Sequence, residues 1–139
     1  MNDSIERSLV LLKPDALERR LAGRLLARFE ERNFRIEAMK LLRVTPELAR
    51  QHYRDLVDRD FYCEIEAYMT RGPVIALILS GRLAIAAVRE MVGPTDGAKA
   101  HAGTIRGDFT LSFRENLVHA SDSVESANRE IAIFFPELE

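Results

Sequence analysis

Few side chains in this sequence could act as a nucleophile, and the histidines come first. There are three: His52, His101 and His119. His52 sits beside Tyr53 in a helical stretch and His101 in a loop-like one, and both read more readily as surface or structural residues. His119 lies in Asn116-Leu-Val-His-Ala-Ser-Asp-Ser123, at the end of a short buried strand and just ahead of a helix start. Strand ends and helix N-termini are where anions and reacting groups are placed. Imidazole titrates near neutrality, so one ring nitrogen can attack a phosphorus while the other is held by a hydrogen-bonding partner. Glu130, two turns into the following helix, is a candidate for that partner, directly or with Ser121 between them. Taken alone, a histidine so placed reads equally well as a buried one with both nitrogens satisfied.

The surroundings supply positive charge. Lys13 adds an ammonium at a strand end, and Arg89 and Arg106, the latter in Gly103-Thr-Ile-Arg-Gly-Asp-Phe109, add two guanidinium groups. Nearly all the positive charge of the chain is arginine, the lysines being only Lys13, Lys40 and Lys99. A guanidinium holds phosphate oxygens in a planar fork, although surface solubility explains most of the arginines equally well. Lys40 and Lys99 read as solvated charges. No G-x-x-x-x-G-K-[ST] loop, no G-x-G-x-x-G and no H-R-D or D-F-G set occurs, so phosphate would be held by scattered basic side chains rather than a glycine cradle. No Cys and His cluster has zinc-ligand spacing.

The elements that must position these residues are legible in outline. Leu9 to Leu12 form a short buried strand that ends at Pro14. Leu21, Leu25 and Phe29 recur every four positions and predict an amphipathic helix from Arg19 to Arg32. Phe34, Ile36 and Ala38 alternate with Arg35, Glu37 and Met39 as in a half-buried strand. Thr45-Pro-Glu47 is a helix start, with a capping hydroxyl, a first-turn proline and an early acid. Pro73 to Leu79, apolar throughout, predicts a central strand covered on both faces. A helix follows from Arg82 to Val92 and ends at Gly93-Pro94. From Gly93 to about Asn116 the pattern dissolves into a long loop, which in a compact domain is usually functional. Leu117-Val118 begins a last short strand, and Asp122-Ser-Val-Glu125 has capping-box spacing ahead of a helix carrying Val124, Ala127, Ile131 and Phe134. The element order predicts an α+β fold of the ferredoxin-like, split βαβ kind: an antiparallel four-stranded sheet covered by helices, with a long loop before the last strand.

Bulk properties bound the rest. At 139 residues with no repeat, linker or low-complexity tract, residues 1–139 read as one domain. A hydrophobic share of 47% with 30% charged residues is that of a soluble globular protein. The start Met1-Asn-Asp-Ser-Ile-Glu-Arg7 lacks the apolar run of a secretory signal, and no stretch is long enough to cross a bilayer. The single cysteine, Cys63, suits a reducing cytoplasm and reads as packing or incidental rather than reactive. The net charge of −2 and the lack of a basic run give no reason to expect nucleic acid or membrane as a partner.

Several segments, in order along the chain, resemble the nucleoside diphosphate kinase family. They are Glu6-Arg-Ser-Leu-Val-Leu-Leu-Lys-Pro-Asp15, Gly72-Pro-Val74, Gly103 to Phe109, Asn116-x-x-His-Ala-Ser-Asp-Ser-Val-Glu-Ser-Ala127, Arg129-Glu-Ile131 and Phe134-Phe135. The resemblance implies a ferredoxin-like fold and ping-pong transfer of a terminal phosphoryl group from a nucleoside triphosphate to a diphosphate, with Mg²⁺. It implies that His119 becomes phosphohistidine, that Glu130 orients its ring with Ser121 assisting, and that Lys13 and Tyr53 lie near the transferring phosphate. Arg89, Thr95 and Arg106 would hold the phosphate chain, Asn116 would meet the ribose, and Phe61 would stack on the base. Broad base tolerance follows, because every base presents a π-face. No protein metal ligands are implied, Mg²⁺ arriving mainly on the nucleotide phosphates. Homo-oligomers built from dimers, tetramers or hexamers, are implied as well.

Some positions depart from the family pattern. Leu56 stands where many members have a second histidine, Asp60 where a proline precedes the stacking phenylalanine, and Gly97 where a proline is frequent. Pro94 precedes Thr95, and Ala120 replaces a glycine after the histidine. Phe113 stands where Val or Ile is usual opposite the stacking ring, so the base would lie between two aromatics, or Phe113 is simply loop packing. None touches His119 or the two arginines. The alternatives are a nucleotide-binding regulatory module that lost catalysis, whose mark would be a missing nucleophile or a broken phosphate clamp, and a nucleic-acid binder using the arginine-rich surface.

Overall fold

The computed structural model describes residues 4–138, so the first part of the Met1 to Arg7 start lies outside the described residues. The chain runs β1 (Ile5–Leu12), α1 (Pro14–Glu18), α2 (Ala22–Glu31), β2 (Arg35–Arg43), α3 (Pro46–His52), α4 (Tyr62–Thr70), β3 (Pro73–Arg82), α5 (Ala84–Val92), α6 (Ile105–Phe109), β4 (Val118–Ala120) and α7 (Val124–Phe134). All paired strands are antiparallel, in the order β2-β3-β1-β4. Strands β1 and β2 flank β3, which is the split βαβ arrangement expected from the element order.

The continuous apolar runs of β1 and β3 are explained by burial on both faces. Val10, Leu12, Leu77 and Leu79 face one core with Leu25 and Phe29 of α2 and Val88 and Val92 of α5. Leu9, Leu11, Ala76 and Ile78 face the other with Ala49 of α3, Ile65 and Met69 of α4, and Ile131 and Phe134 of α7. His119 projects toward this second layer, its ring meeting His52, which packs on Phe134.

Local signals set most element ends. Thr45 caps α3, its hydroxyl accepting from Leu48 N at 3.1 Å with Pro46 in the first turn, worth about 1 kcal/mol. Gly93 ends α5 at a φ of 91°, in the left-handed region that glycine enters without a Cβ clash.

The structure corrects several expectations. The helix foreseen from Arg19 begins at Ala22, because α1 takes the residues after Pro14 and Arg20 turns at positive φ. The alternation of exposed and half-buried residues read in β2 holds across Arg35–Arg43, but the strand register shifts at Glu37. A bulge there sends Ile36 to the first core and Ala38 to the second. Helix α4, not foreseen, occupies the stretch before Gly72. The helix foreseen from Arg82 begins at Ala84, after Leu83 in a left-handed conformation. The long loop is not structureless, for it contains a 3-10 turn at Gly97–Lys99 and helix α6, capped by Asp96 and Thr104 respectively. At α7 the cap is Ser123, accepting from Ser126 N at 3.0 Å, rather than Asp122, and Val124 is half exposed rather than core.

Candidate active site

Strand β4 is only three residues long, and its alternation decides where His119 points. Val118 and Ala120 are buried in the first core, so the intervening His119, paired with Leu11, faces the second layer. His119 is therefore the middle residue of the strand rather than its end. Leu117 just before it is fully buried and left-handed, with φ 75°. That conformation costs energy in a bulky residue and persists only when the surroundings over-determine it. Here Leu117 N donates to Asp15 Oδ2 at 3.2 Å and Leu117 O accepts from Lys13 N at 2.8 Å. Asp15 is in turn fixed by the Tyr68 hydroxyl. Asp15 and Tyr68 thus aim the histidine from below, a role no local pattern in the sequence announces.

The ring itself is held on one side. Nε2 of His119 lies 2.9 Å from Glu130 Oε1, and the same oxygen accepts from Ser121 Oγ at 2.7 Å. The contact with Glu130 is direct, with Ser121 as a second donor to the carboxylate. Glu130 is 4% exposed and Ser121 fully buried. A carboxylate is an acceptor, so this geometry places the ring proton on Nε2 and leaves the Nδ1 lone pair free to attack. His52, from the end of α3, meets the His119 ring edge-on at 4.7 Å between centroids. Burial, then the neighbouring His119 and Lys13, hold His52 well below its ordinary value, so it stays neutral beside His119.

A cleft of about 440 Å³ opens nearby, lined by Lys13, Tyr53, Leu56, Thr95 and Asn116, with Phe61, Phe113 and Arg114 together at its exposed outer end. Lys13 is 9% exposed and donates through Nζ to Asn116 Oδ1 at 2.9 Å. Burial, helped by Arg106, lowers its pKa to about 7. Asn116 also donates through Nδ2 to Thr95 O and Phe113 O, at 3.0 and 3.1 Å. Its side chain therefore ties both loop segments to Lys13. The Tyr53 phenol is pushed upward by burial and by Glu130, so it remains a proton donor at neutral pH.

The two arginines stand behind these residues. Arg106 is 5% exposed and donates to Asn116 O, Gly93 O and Val118 O. It locks α5, the loop and β4 together with three of its donors, leaving two for an anion. Burial and the nearby Arg89 lower its pKa to about 10. Arg89 reaches from α5 to Ala120 O at 3.2 Å, next in the chain to His119. His119, Glu130, Ser121, Arg89 and Arg106 do not line the cleft. Of these, Arg106 is joined to the lining through Asn116 O.

At the outer end Phe61 is 39% and Phe113 55% exposed. Arg114 lies over both rings, 5.5 Å from the centroid of Phe61 and 5.7 Å from that of Phe113. The sequence reading missed Arg114, since an isolated arginine in a loop carries no local signal. Among the departures, Leu56 lines the cleft and packs on the second core. Gly97 donates to Ser112 O at 3.0 Å, and a Cβ there would come within 2.8 Å of Thr110 O. A bare N–H is thus built into the loop where a proline would supply none. Cys63 is exposed at the start of α4.

Among the described residues, His52, His119 and Glu130 bring one ligand-type atom each within 4.8 Å of one another. Two imidazoles and one carboxylate do not suit Mg²⁺, which prefers an octahedron of oxygens.

The fold and this wiring define an α+β domain with a carboxylate-held histidine beside a cleft that carries a buried lysine. The family model for nucleoside diphosphate kinase matches residues 6–139, and the chain belongs to that family of phosphotransferases. It is similar to the nucleoside diphosphate kinase of Methanothermobacter thermautotrophicus, at 50% identity covering 97% of this chain and 90% of the relative. The crystal structure of the Aquifex aeolicus enzyme superposes with a TM-score of 0.92 at 42% identity, covering 98% of this chain and 99% of that one. A halophilic nucleoside diphosphate kinase from Halobacterium salinarum, in complex with CDP, also gives 0.92, at 38% identity over 96% of this chain and 88% of that one.

Proposed function

We propose that the chain moves phosphoryl groups between nucleotides by a ping-pong mechanism with His119 as the nucleophile. The observation that carries this is the 2.9 Å contact between His119 Nε2 and Glu130. Nδ1 of His119 attacks the terminal phosphorus of a nucleoside triphosphate, the N–P bond forms, and the bond to the bridging oxygen breaks to release the diphosphate. A second diphosphate then attacks the phosphohistidine, and the N–P bond breaks. Positive charge accumulating on the ring is offset by the Glu130 carboxylate through Nε2–H. Phosphoryl transfer needs positioning and charge neutralisation more than covalent chemistry. Lys13, Arg89, Arg106 and Thr95 serve that purpose along the phosphates, with Tyr53 as a neutral donor and Asn116 at the ribose.

Mg²⁺ enters as part of the nucleotide substrate, bound to its phosphates, since the protein's own cluster has the wrong donors for it. The base rests on Phe61, with Phe113 opposite. Stacking without a deep pocket supports broad base tolerance, and the relative from Halobacterium salinarum is seen with a pyrimidine diphosphate. Assembly into homo-oligomers built from dimers is supported by the outer strand β2, which leaves Met39 and Leu41 54% and 67% exposed. A cytoplasmic setting agrees with one unpaired cysteine. Among the described residues no helix is long and apolar enough to cross a membrane.

Initial rates with Mg-ATP and dTDP varied together test the reading. Parallel double-reciprocal lines are expected, and intersecting lines would contradict the covalent relay.

A further inference from the structure

His52 has no part in the phosphoryl relay above, yet it stands against His119. It is 5% exposed, and its ring is packed edge-on by Tyr53, His119 and Phe134, at 4.5, 4.7 and 5.2 Å between centroids. Its Nδ1 is buried without a hydrogen-bond partner. A buried nitrogen left unpaired is costly and calls for an explanation, a bound ion being one. The surroundings supply the rest of a ligand set. One nitrogen of His52, one of His119 and one Glu130 oxygen all lie within 4.8 Å of one another, and His119 Nε2 is 2.9 Å from Glu130 Oε1. The His119 side chain is 20% exposed, which leaves a way in and a fourth position for water.

We propose that His52, His119 and Glu130 form a Zn²⁺ site, and that Zn²⁺ bound there stops phosphoryl transfer. Two imidazoles, one carboxylate and a water are a set that zinc takes and Mg²⁺ does not. Tetrahedral zinc at about 2.1 Å from each donor sets the donors about 3.4 Å apart, so the cluster closes on the ion by roughly an ångström. Lys13 and Arg129 bring positive charge nearby and weaken the site, and the Glu130 carboxylate opposes them. Either nitrogen of His119 serves. An ion on Nδ1 takes the lone pair that attacks phosphorus. An ion on Nε2 replaces the proton held by Glu130, the proton passes to Nδ1, and the same lone pair is lost. This block rests on the kinase reading above, whereas the zinc site itself does not.

The test titrates the metal-free chain with ZnCl₂ by calorimetry, in excess Mg²⁺. One Zn²⁺ per chain is expected. His52→Gln and His119→Ala should each weaken it at least about tenfold, since loss of a mere supporting residue costs about 10- to 100-fold in metal affinity. His52→Phe, which keeps a ring in the packing, should weaken it equally. His101→Gln and Cys63→Ser, at exposed positions, should leave it unchanged. Protein phosphorylated with Mg-ATP and then freed of nucleotide should lose the site. Absence of a zinc site overturns the proposal, as does one that survives loss of either histidine or that the phosphoprotein retains at full affinity. Failure of the kinase reading is distinguishable, because zinc would then bind a chain that gains no phosphoryl group from Mg-ATP.

Discussion

The inner and outer ends of the cleft are held in different ways. Around His119, Glu130 and Asn116 are 4% and 3% exposed, and Ser121 is fully buried. Each of their side chains is hydrogen-bonded to another element. At the other end Phe61 and Phe113 are 39% and 55% exposed and meet Arg114 through ring faces alone. The inner end is hydrogen-bonded into one geometry, and the outer end is held by ring contacts. That division suits a reaction in which the phosphate is constant and the base varies. Buried, satisfied polar networks rigidify, while stacking asks only for a flat face.

The comparison can be broken most sharply at the inner end. Glu130→Gln keeps the shape and removes the charge that offsets the developing imidazolium. Phosphoenzyme formation, followed by rapid quench, should slow about 10- to 100-fold, the worth of a charge-assisted hydrogen bond. An unchanged rate would mean that Glu130 only fills space.

Lys13 gives a graded test. Its pKa is lowered to about 7 by burial, and on the proposed function the charged form is the one that would bind phosphate. Below pH 7 the free protein carries that charge, and above pH 7 it must take up a proton to bind. The kcat/KM for the triphosphate should therefore fall as pH rises through about 7, approaching tenfold per unit. Lys13→Met should lower kcat/KM and remove that inflection, whereas an inflection that persists assigns it to another group.

At the outer end, Phe61→Ala should weaken nucleotide binding by roughly tenfold, within the range for loss of one base–aromatic stack. The loss should be similar for purine and pyrimidine diphosphates, with kcat little changed. A selective loss would mean that Phe61 reads the base rather than supporting it.

Sequence pattern reached the inner and outer ends unequally. Strands β1 and β3 were legible because burial on both faces leaves an unbroken apolar run, and α3 because Thr45-Pro46 is a chemical start signal. His119, Glu130 and Ser121 could be grouped from their spacing around a strand–helix junction. The contacts of Asp15 with Leu117, of Arg106 with three carbonyls, and of Arg114 with two rings join residues through tertiary structure, so no periodicity marks them. Helix α4 was missed although Tyr62, Ile65 and Met69 follow helical spacing, because its exposed face also carries apolar groups. The turns of the long loop are too short to show a period and depend on single caps at Asp96 and Thr104. The bulge in β2 was missed because Glu37 continues the alternation on paper while the backbone absorbs one extra residue.

The most direct measurement is the intact mass of the protein after incubation with Mg-ATP and no acceptor, followed by a chase with dTDP. A gain of one phosphoryl group, acid-labile, discharged by dTDP and absent from His119→Ala, is the expected result. No gain in a folded protein that binds nucleotide, or an undiminished gain in His119→Ala, would contradict His119 as the phosphoryl carrier.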